Sequence, residues 1–191
     1  MSAGLAAIAQ PAPAQPLLHL PTELAACVLR PWALADKADL VRHANCRKVW
    51  RNLTHLFPHP YTEAHADDWF QIAAQPGRSL HLAITLDGAA VGGIGAISGE
   101  GVHAATAQFG YWLGEAVWGR GLATAAARAM VAHIEAHQLF ARLEASVYAW
   151  NPASMRVLEK AGFHLECHRP RSVSKDGQLI DSAMYVYLSD T

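Results

Sequence analysis

The chain is short of charge, of cysteine and of long apolar runs, and each shortage closes off a class of function. Only 16% of its residues are Asp, Glu, Lys or Arg and the formal net charge is −1, so no basic surplus marks a surface for nucleic acid. Its cysteines, Cys27, Cys46 and Cys167, are odd in number and widely spaced. They fit reduced, mostly buried thiols in a cytoplasmic protein and not a disulfide framework. No apolar stretch approaches the ~20 residues that a membrane-spanning helix requires. Residues 1–23 contain no Lys or Arg, and the apolar piece Leu5 to Ala9 is too short for a secretory signal. Rich in Ala, Pro and Gln, this stretch is expected to be a flexible leader before a single domain over residues 24–191. A domain of that length can bury a full hydrophobic core.

Several motifs are missing as well. No Gly-Lys-Ser/Thr completes a Walker loop, and the three spaced glycines of a dinucleotide fingerprint are absent. His133 and His137 stand four apart and so share one helical face, but Glu135 between them is not where a zincin needs its glutamate. His164, Cys167 and His168 fall on an expected strand, where residues four apart lie too far from one another to chelate. No third ligand joins either group, so no metal is expected.

What the chain does contain is Trp118-Gly119-Arg120-Gly121-Leu122-Ala123-Thr124, between an expected strand, Gln108 to Leu113, and an Ala-rich helix running from Leu122 to about Gln138. Glycine lets the backbone approach a ligand closely. The first N–H groups of a helix have no intrahelical partner and carry the positive end of its dipole. Strand, glycine loop and helix start together suit a phosphate or pyrophosphate, and Arg120 adds a cation at the mouth.

Further on, a strand over Leu143 to Trp150 leads into Asn151-Pro152-Ala153-Ser154 and a short helix that Gly162 ends. Asn at the N-cap, Pro at the first helical position and Gly after the last turn are the expected punctuation. Upstream, Cys27 to Pro31 reads as a strand, followed by helical segments at 36–52 and 62–74. Asp87-Gly88 and Asp176-Gly177 each join two strand-like runs, Leu80–Leu86 with Ala90–Ile97 and Phe163–Val173 with Leu179–Leu188, as hairpins. The helix-length connection from Leu113 to Leu143 makes that strand pair parallel. The expected fold class is α/β (α+β): a mixed, mainly antiparallel sheet of about seven strands with helices on both faces.

This order resembles the Gcn5-related N-acetyltransferase (GNAT) superfamily, and within it the ribosomal-protein N-terminal acetyltransferase branch. The resemblance runs from about Leu24 to Leu188. It rests on Phe109-Gly110-Tyr111-Trp112-Leu113 leading into Trp118 to Thr124, on Asn151 through Gly162-Phe163, and on Leu29-Arg30-Pro31-Trp32 with Phe57-Pro58-His59-Pro60-Tyr61-Thr62.

The resemblance implies that acetyl-CoA lies where two parallel strands splay apart. Gly119, Arg120, Gly121, Leu122, Ala123 and Thr124, with Trp118, Asn151 and Arg156, would hold it. Main-chain groups of Trp112 and Leu113 would meet the pantetheine, and an N–H near Leu113 would face the oxyanion formed when an amine attacks the thioester. Ser154 would protonate the departing thiolate. His59, Tyr61 and Tyr111 would line the acceptor side. Relatives often carry Glu where this chain has Gln108, which cannot accept a proton, so the base stays open among Glu115, His59 and a water chain. A protein N-terminus is the expected acceptor, with a small amine (polyamine, amino acid or aminoglycoside) as the alternative. Gln108 also leaves room for a non-catalytic acyl-CoA sensor. The expected partners are acetyl-CoA and the amine alone, in a monomer or homodimer, with no nucleic acid or membrane.

Overall fold

Both Asp-Gly pairs make the tight turns their residues favour. Asp87 and Gly88 have φ of 50° and 85°, and Asp176 and Gly177 have φ of 56° and 72°, the left-handed pair that matches the twist of a two-residue hairpin. In the computed structural model, which describes residues 18–189, these turns join Leu80–Leu86 (β3) to Ala89–Ser98 (β4) and His164–Lys175 (β7) to Gln178–Leu188 (β8). Ahead of them come Leu20–Pro21 (β1) and Cys27–Pro31 (β2). Between them lie Thr106–Leu113 (β5) and Arg142–Tyr148 (β6). The sheet has eight strands in the order β1-β2-β3-β4-β5-β6-β8-β7, and only β5 and β6 pair in parallel.

The strand beyond the expected seven is β1, whose Leu20 and Pro21 sit opposite Leu29 and Val28. Of the stretch expected to be a flexible leader, residues 1–17 lie outside the described residues. Leu18 and Leu20 pack on the core, and Glu23 forms an ion pair with Arg128, so residues 18–23 are part of the fold.

Among the described residues, five α-helices flank the strands: Lys37–Ala44 (α1), Arg47–Trp50 (α2), Glu63–Ala73 (α3), Leu122–Ala136 (α4) and Pro152–Lys160 (α5). The continuous helix expected over residues 36–52 is broken at Asn45-Cys46. Cys46 is extended, with φ −130° and ψ 120°, and the Asn45 side-chain carbonyl accepts the Tyr61 N–H at 3.1 Å. Asparagine competes with helical geometry by bonding other backbone, and here it does so across a loop. The break sends α2 toward the β7–β8 turn, where Arg47 grips Asp176 at 2.7 Å and the buried Lys175 ammonium lies 3.6 Å from the centre of the Trp50 ring. Helix α4 ends at Ala136 because Gln138 turns left-handed, with φ 48°, and Leu139 N–H returns to Ile134 C=O at 3.0 Å, a Schellman-type close. Strand β6 likewise ends two residues short of Trp150, where Asn151 N–H turns back to Tyr148 C=O.

Strand alternation sorts the core into two faces. Leu29, Leu82, Ile84, Phe109 and Leu113 pack with Leu122, Ala126, Met130 and Ile134 of α4 and with Leu158 of α5. On the other face Trp32, Trp69 and Trp112 pack with Leu40 and Ala44 of α1, Ala66 and Phe70 of α3, and Tyr61. The alanines of α4 let that helix sit close beneath the centre of the sheet.

Candidate functional site

The parallel pair opens almost as soon as it forms. Thr106, Ala107 and Gln108 lie opposite Arg142, Leu143 and Glu144, and the ladder stops there. Beyond that point β5 stays on β4 as far as Leu113, while β6 stays on β8 as far as Tyr148. A gap is left between two strands that are each held from behind.

Which main-chain groups face the gap follows from the ladder on the other side. Gly99 N–H donates to Thr106 C=O at 2.8 Å, and Gly114 N–H donates to Val91 C=O at 2.9 Å. The β4–β5 register runs unbroken between these bonds, so the even-numbered residues of β5 spend their N–H and C=O on β4. The odd-numbered residues face the other way, so beyond the β6 ladder Tyr111 and Leu113 turn theirs into the gap. Trp112 does not, which corrects the expectation that its main chain would meet a ligand. The Leu113 carbonyl is already engaged by the Trp118 indole N–H at 2.8 Å.

At the mouth of the gap, Gly119 and Gly121 adopt φ of 73° and 80° on either side of Arg120. Gly121 is the N-cap of α4, and its left-handed turn swings the chain directly into the helix. Any other residue at either position would be strained. The unpaired N–H groups at the start of α4 thus face the opening between the strands, with Arg120, Arg156 and Lys160 among its lining residues.

Ser154 sits in the first turn of α5. Its N–H donates to the Asn151 side-chain carbonyl at 3.2 Å, and its Oγ lies 2.8 Å from the Tyr111 hydroxyl. The same hydroxyl donates to the Ser154 carbonyl at 3.0 Å. Burial pushes the Tyr111 phenol above its ordinary range, against the pull of the Ser154 bond, so it remains a proton donor at any working pH. Tyr111 projects on the face of β5 that carries Phe109, toward α5 and away from the acceptor side where it was expected.

Across the sheet, the wall facing α1 and α3 is aromatic and bare by turns. Phe57 packs on Trp112 with ring centres 5.4 Å apart. His81 of β3, Gly95 of β4 and Gly110 of β5 are consecutive partners across three strands. Trp69 meets the His81 ring edge-on at 5.4 Å. A Cβ added to Gly95 would stand 3.6 Å from His81 Nδ1, and one added to Gly110 would meet nothing within 4 Å. Burial lowers the His81 pKa from its usual value, leaving a neutral imidazole.

All these groups line one cleft of about 950 Å³. It brings together Trp112, Leu113, Trp118 to Thr124, Asn151, Ser154, Arg156 and Tyr111 from the sequence reading. His59 and Tyr61 are not among its lining residues. His59 packs on Trp50 at 5.7 Å, and Tyr61 is buried under Phe57. Glu115 is tied to Lys48 and Cys46, and the Lys48 hydrogen bond holds its carboxyl below the usual range. Gln108 donates its amide to Glu144 at 2.9 Å. Sequence reading passed over His81, because only strand register places it beside two glycines. Among the described residues no group of three or more His, Cys, Asp or Glu is arranged to hold a metal, and no helix is long and apolar enough to cross a membrane.

A family model described as acetyltransferase (GNAT) domain matches residues 27–164, more than half of the chain. The protein belongs to this family and is an acyltransferase. The probable N-acetyltransferase YjcK of Bacillus subtilis is 39% identical over 84 residues, which are 44% of this chain and 46% of that protein; the match spans about half of the relative's length. The structure also superposes on RimL, a ribosomal L7/L12 alpha-N-protein acetyltransferase in complex with coenzyme A, with a TM-score of 0.79 at 20% identity over 91% of this chain and 99% of that one. Spermidine N-acetyltransferase from Vibrio cholerae, in complex with CoA and spermine, gives 0.73 at 16% identity over 86% and 96%. The family and these CoA-bound neighbours fit acetyl-CoA as the acyl donor.

Proposed function

We propose that this protein transfers the acetyl group of acetyl-CoA to a primary amine, with a protein N-terminus as the acceptor. The observation that carries the acceptor class is the charge of the cleft. Among the described residues lining it there is no Asp or Glu, and its cations, Arg120, Arg156 and Lys160, stand at the phosphate end. A polyamine or aminoglycoside brings several positive charges, and stripping them of water without a carboxylate partner costs several kcal/mol per ion, by order of magnitude. A single amine on a neutral peptide avoids that cost. The aromatic and glycine-lined wall over Gly110 suits such a chain.

The chemistry runs along the gap. N–H groups from Gly119 to Thr124 hold the pyrophosphate, helped by the α4 dipole. The free edge of β5 pairs with the pantetheine as a further strand would. The amine nitrogen attacks the thioester carbon, and the oxyanion meets the gap-facing N–H of Tyr111 or Leu113. Collapse breaks the C–S bond, and Ser154 Oγ–H protonates the thiolate. The Tyr111 hydroxyl, 2.8 Å from Ser154 Oγ, holds the serine in place for that transfer. The test is release of CoA thiol from acetyl-CoA against peptides of varied N-terminus, spermidine, free amino acids and an aminoglycoside, with acetyl-CoA binding followed by calorimetry. Turnover confined to peptides supports the proposal, turnover confined to polycations overturns the acceptor class, and binding without any turnover favours an acyl-CoA sensor.

A further inference from the structure

We infer that His81 is the general base of the reaction, taking the proton from the acceptor amine on the side of the sheet opposite to Ser154. The inference rests on the proposed amine acetylation and adds the one group that reading leaves unassigned.

Among the described residues lining the cleft there is no Asp, Glu or Cys, and His81 is the single histidine. The remaining ionisable side chains there are Arg120, Arg156 and Lys160, which are cations, and the phenols of Tyr111 and Tyr148, both pushed upward by burial. Only an imidazole among these accepts a proton near neutral pH. The other positions considered for a base are committed: Gln108 is an amide bonded to Glu144, and Glu115 is bound to Lys48.

Geometry makes the imidazole available. Residues directly opposite one another in a sheet project to the same face, so His81, Gly95 and Gly110 form a row with one side chain and two vacancies. The ring lies alongside Gly95, close to where its Cβ would stand, and thus leans along the row toward β5. Neighbouring strands are about 4.8 Å apart, so an amine held over Gly110 lies within reach of the ring or of one bridging water. Trp69 of α3 meets the ring edge-on, and a Cβ on Gly95 of β4 would stand 3.6 Å from its Nδ1. Burial is the sole cause of its lowered pKa, with no charged group of α3, β3 or β4 contributing.

The step balances. The amine nitrogen forms its bond to the carbonyl carbon and gives one proton to the imidazole, the C–S electrons leave as thiolate, and Ser154 returns a proton to sulfur. The imidazolium and the serine then exchange protons with solvent.

The experiment measures thiol release by wild type, His81→Gln and His81→Ala from pH 5 to 8, with acetyl-CoA and the panel of peptides, spermidine, amino acids and aminoglycoside. Wild-type kcat/KM should rise through a pKa below 6.5 with the best acceptor. H81Q should lose that limb and about 100-fold in kcat while binding acetyl-CoA as wild type does. Added imidazole should accelerate H81A in proportion to its unprotonated fraction. Turnover of H81Q within about threefold of wild type with the same pH profile would overturn the role of His81 and leave the acetyltransferase reading standing. Loss of acetyl-CoA binding in both variants, with no imidazole rescue, would make His81 structural and also overturn it. Failure of wild type to turn over any amine would overturn both readings.

Discussion

The hydroxyl of Tyr111 holds Ser154 from two sides, at 2.8 Å from its Oγ and 3.0 Å from its carbonyl oxygen. The contact crosses from the free half of β5 to the first turn of α5, and so spans the gap in the sheet. A tyrosine expected on the acceptor side is put by strand alternation on the α5 side of β5 and becomes the support of the expected acid. Removing the Ser154 hydroxyl should slow turnover about 100-fold. Tyr111→Phe removes about 1 kcal/mol of positioning, roughly fivefold in kcat. If the two act as a unit, Y111F will slow the S154A enzyme no further. A full additional fivefold loss in the double variant would show that Tyr111 acts elsewhere.

Gly121 is both a conformational and a steric requirement. Its φ of 80° strains any side chain, and a carboxylate there would sit at the positive start of α4, on the proposed pyrophosphate site. Gly121→Glu should weaken acetyl-CoA binding roughly 100-fold, about 2.7 kcal/mol, as measured by calorimetry. Gly121→Ala supplies the comparison, since it keeps the strain without the charge. Equal affinity in wild type and G121E would remove the pyrophosphate from this loop.

Asn151 secures the start of α5 through the Ser154 N–H. Asn151→Ala should cost about 1 kcal/mol of stability, which lowers the melting temperature by roughly 3 °C in a protein of this size. Asn151→Asp should restore most of that loss. An unchanged melting temperature in N151A would mean that Pro152 and packing alone set the helix start.

Asp36 predicts how the fold responds to acid. It is 5% exposed, takes both guanidinium nitrogens of Arg30 at 2.7 Å and accepts the Ala33 N–H at 2.9 Å. Burial raises its pKa, but the Arg30 hydrogen bonds, the Ala33 N–H and the Arg30 charge outweigh it and leave the carboxyl below its usual range. A carboxyl depressed in the folded state stabilises above its unfolded pKa of about 3.9 and loses that contribution as pH falls through the folded value. Wild type should therefore lose stability below about pH 4. Asp36→Asn should be about 2 kcal/mol less stable at pH 7 and show a smaller acid-dependent loss in denaturant titrations. Parallel stability curves for the two proteins below pH 4 would rule this out.

Much of the architecture was legible because local rules and tertiary structure agree. The Asp-Gly turns, the Asn-Pro start of α5 and the glycine entry to α4 each depend on backbone conformations that few residues tolerate, and all occur where sequence reading put them. The break at Asn45-Cys46 was not legible, since its cause is a bond to Tyr61 sixteen residues away. His59 and Tyr61 lie in the loop before α3 and pack on Trp50 and Phe57, which no local motif shows, while the side of β5 that Tyr111 takes depends on register. Leu80, Leu82 and Ile84 alternate with His81, Ala83 and Thr85 along β3 and give it two faces. Only the pairing of β3 with β4, and of β4 with β5, shows that His81 looks onto glycines.

The short helix α2 reaches the far hairpin through Arg47, Asp176, Trp50 and Lys175, and that bridge separates two design problems within one cleft. The proposed phosphate end is built mainly from one continuous stretch, β5 through α4, whose glycines tolerate almost no change, with Arg156 and Lys160 of α5 beside it. The wall proposed to face the acceptor is instead assembled from separate segments joined by side chains, and the contact of α2 with the β7–β8 turn at its edge bridges more than a hundred residues. Lengthening the β7–β8 turn or shifting α2 would resize the acceptor entrance and leave the acyl donor's seat untouched. A lineage could exchange one amine for another through such edits without rebuilding its chemistry.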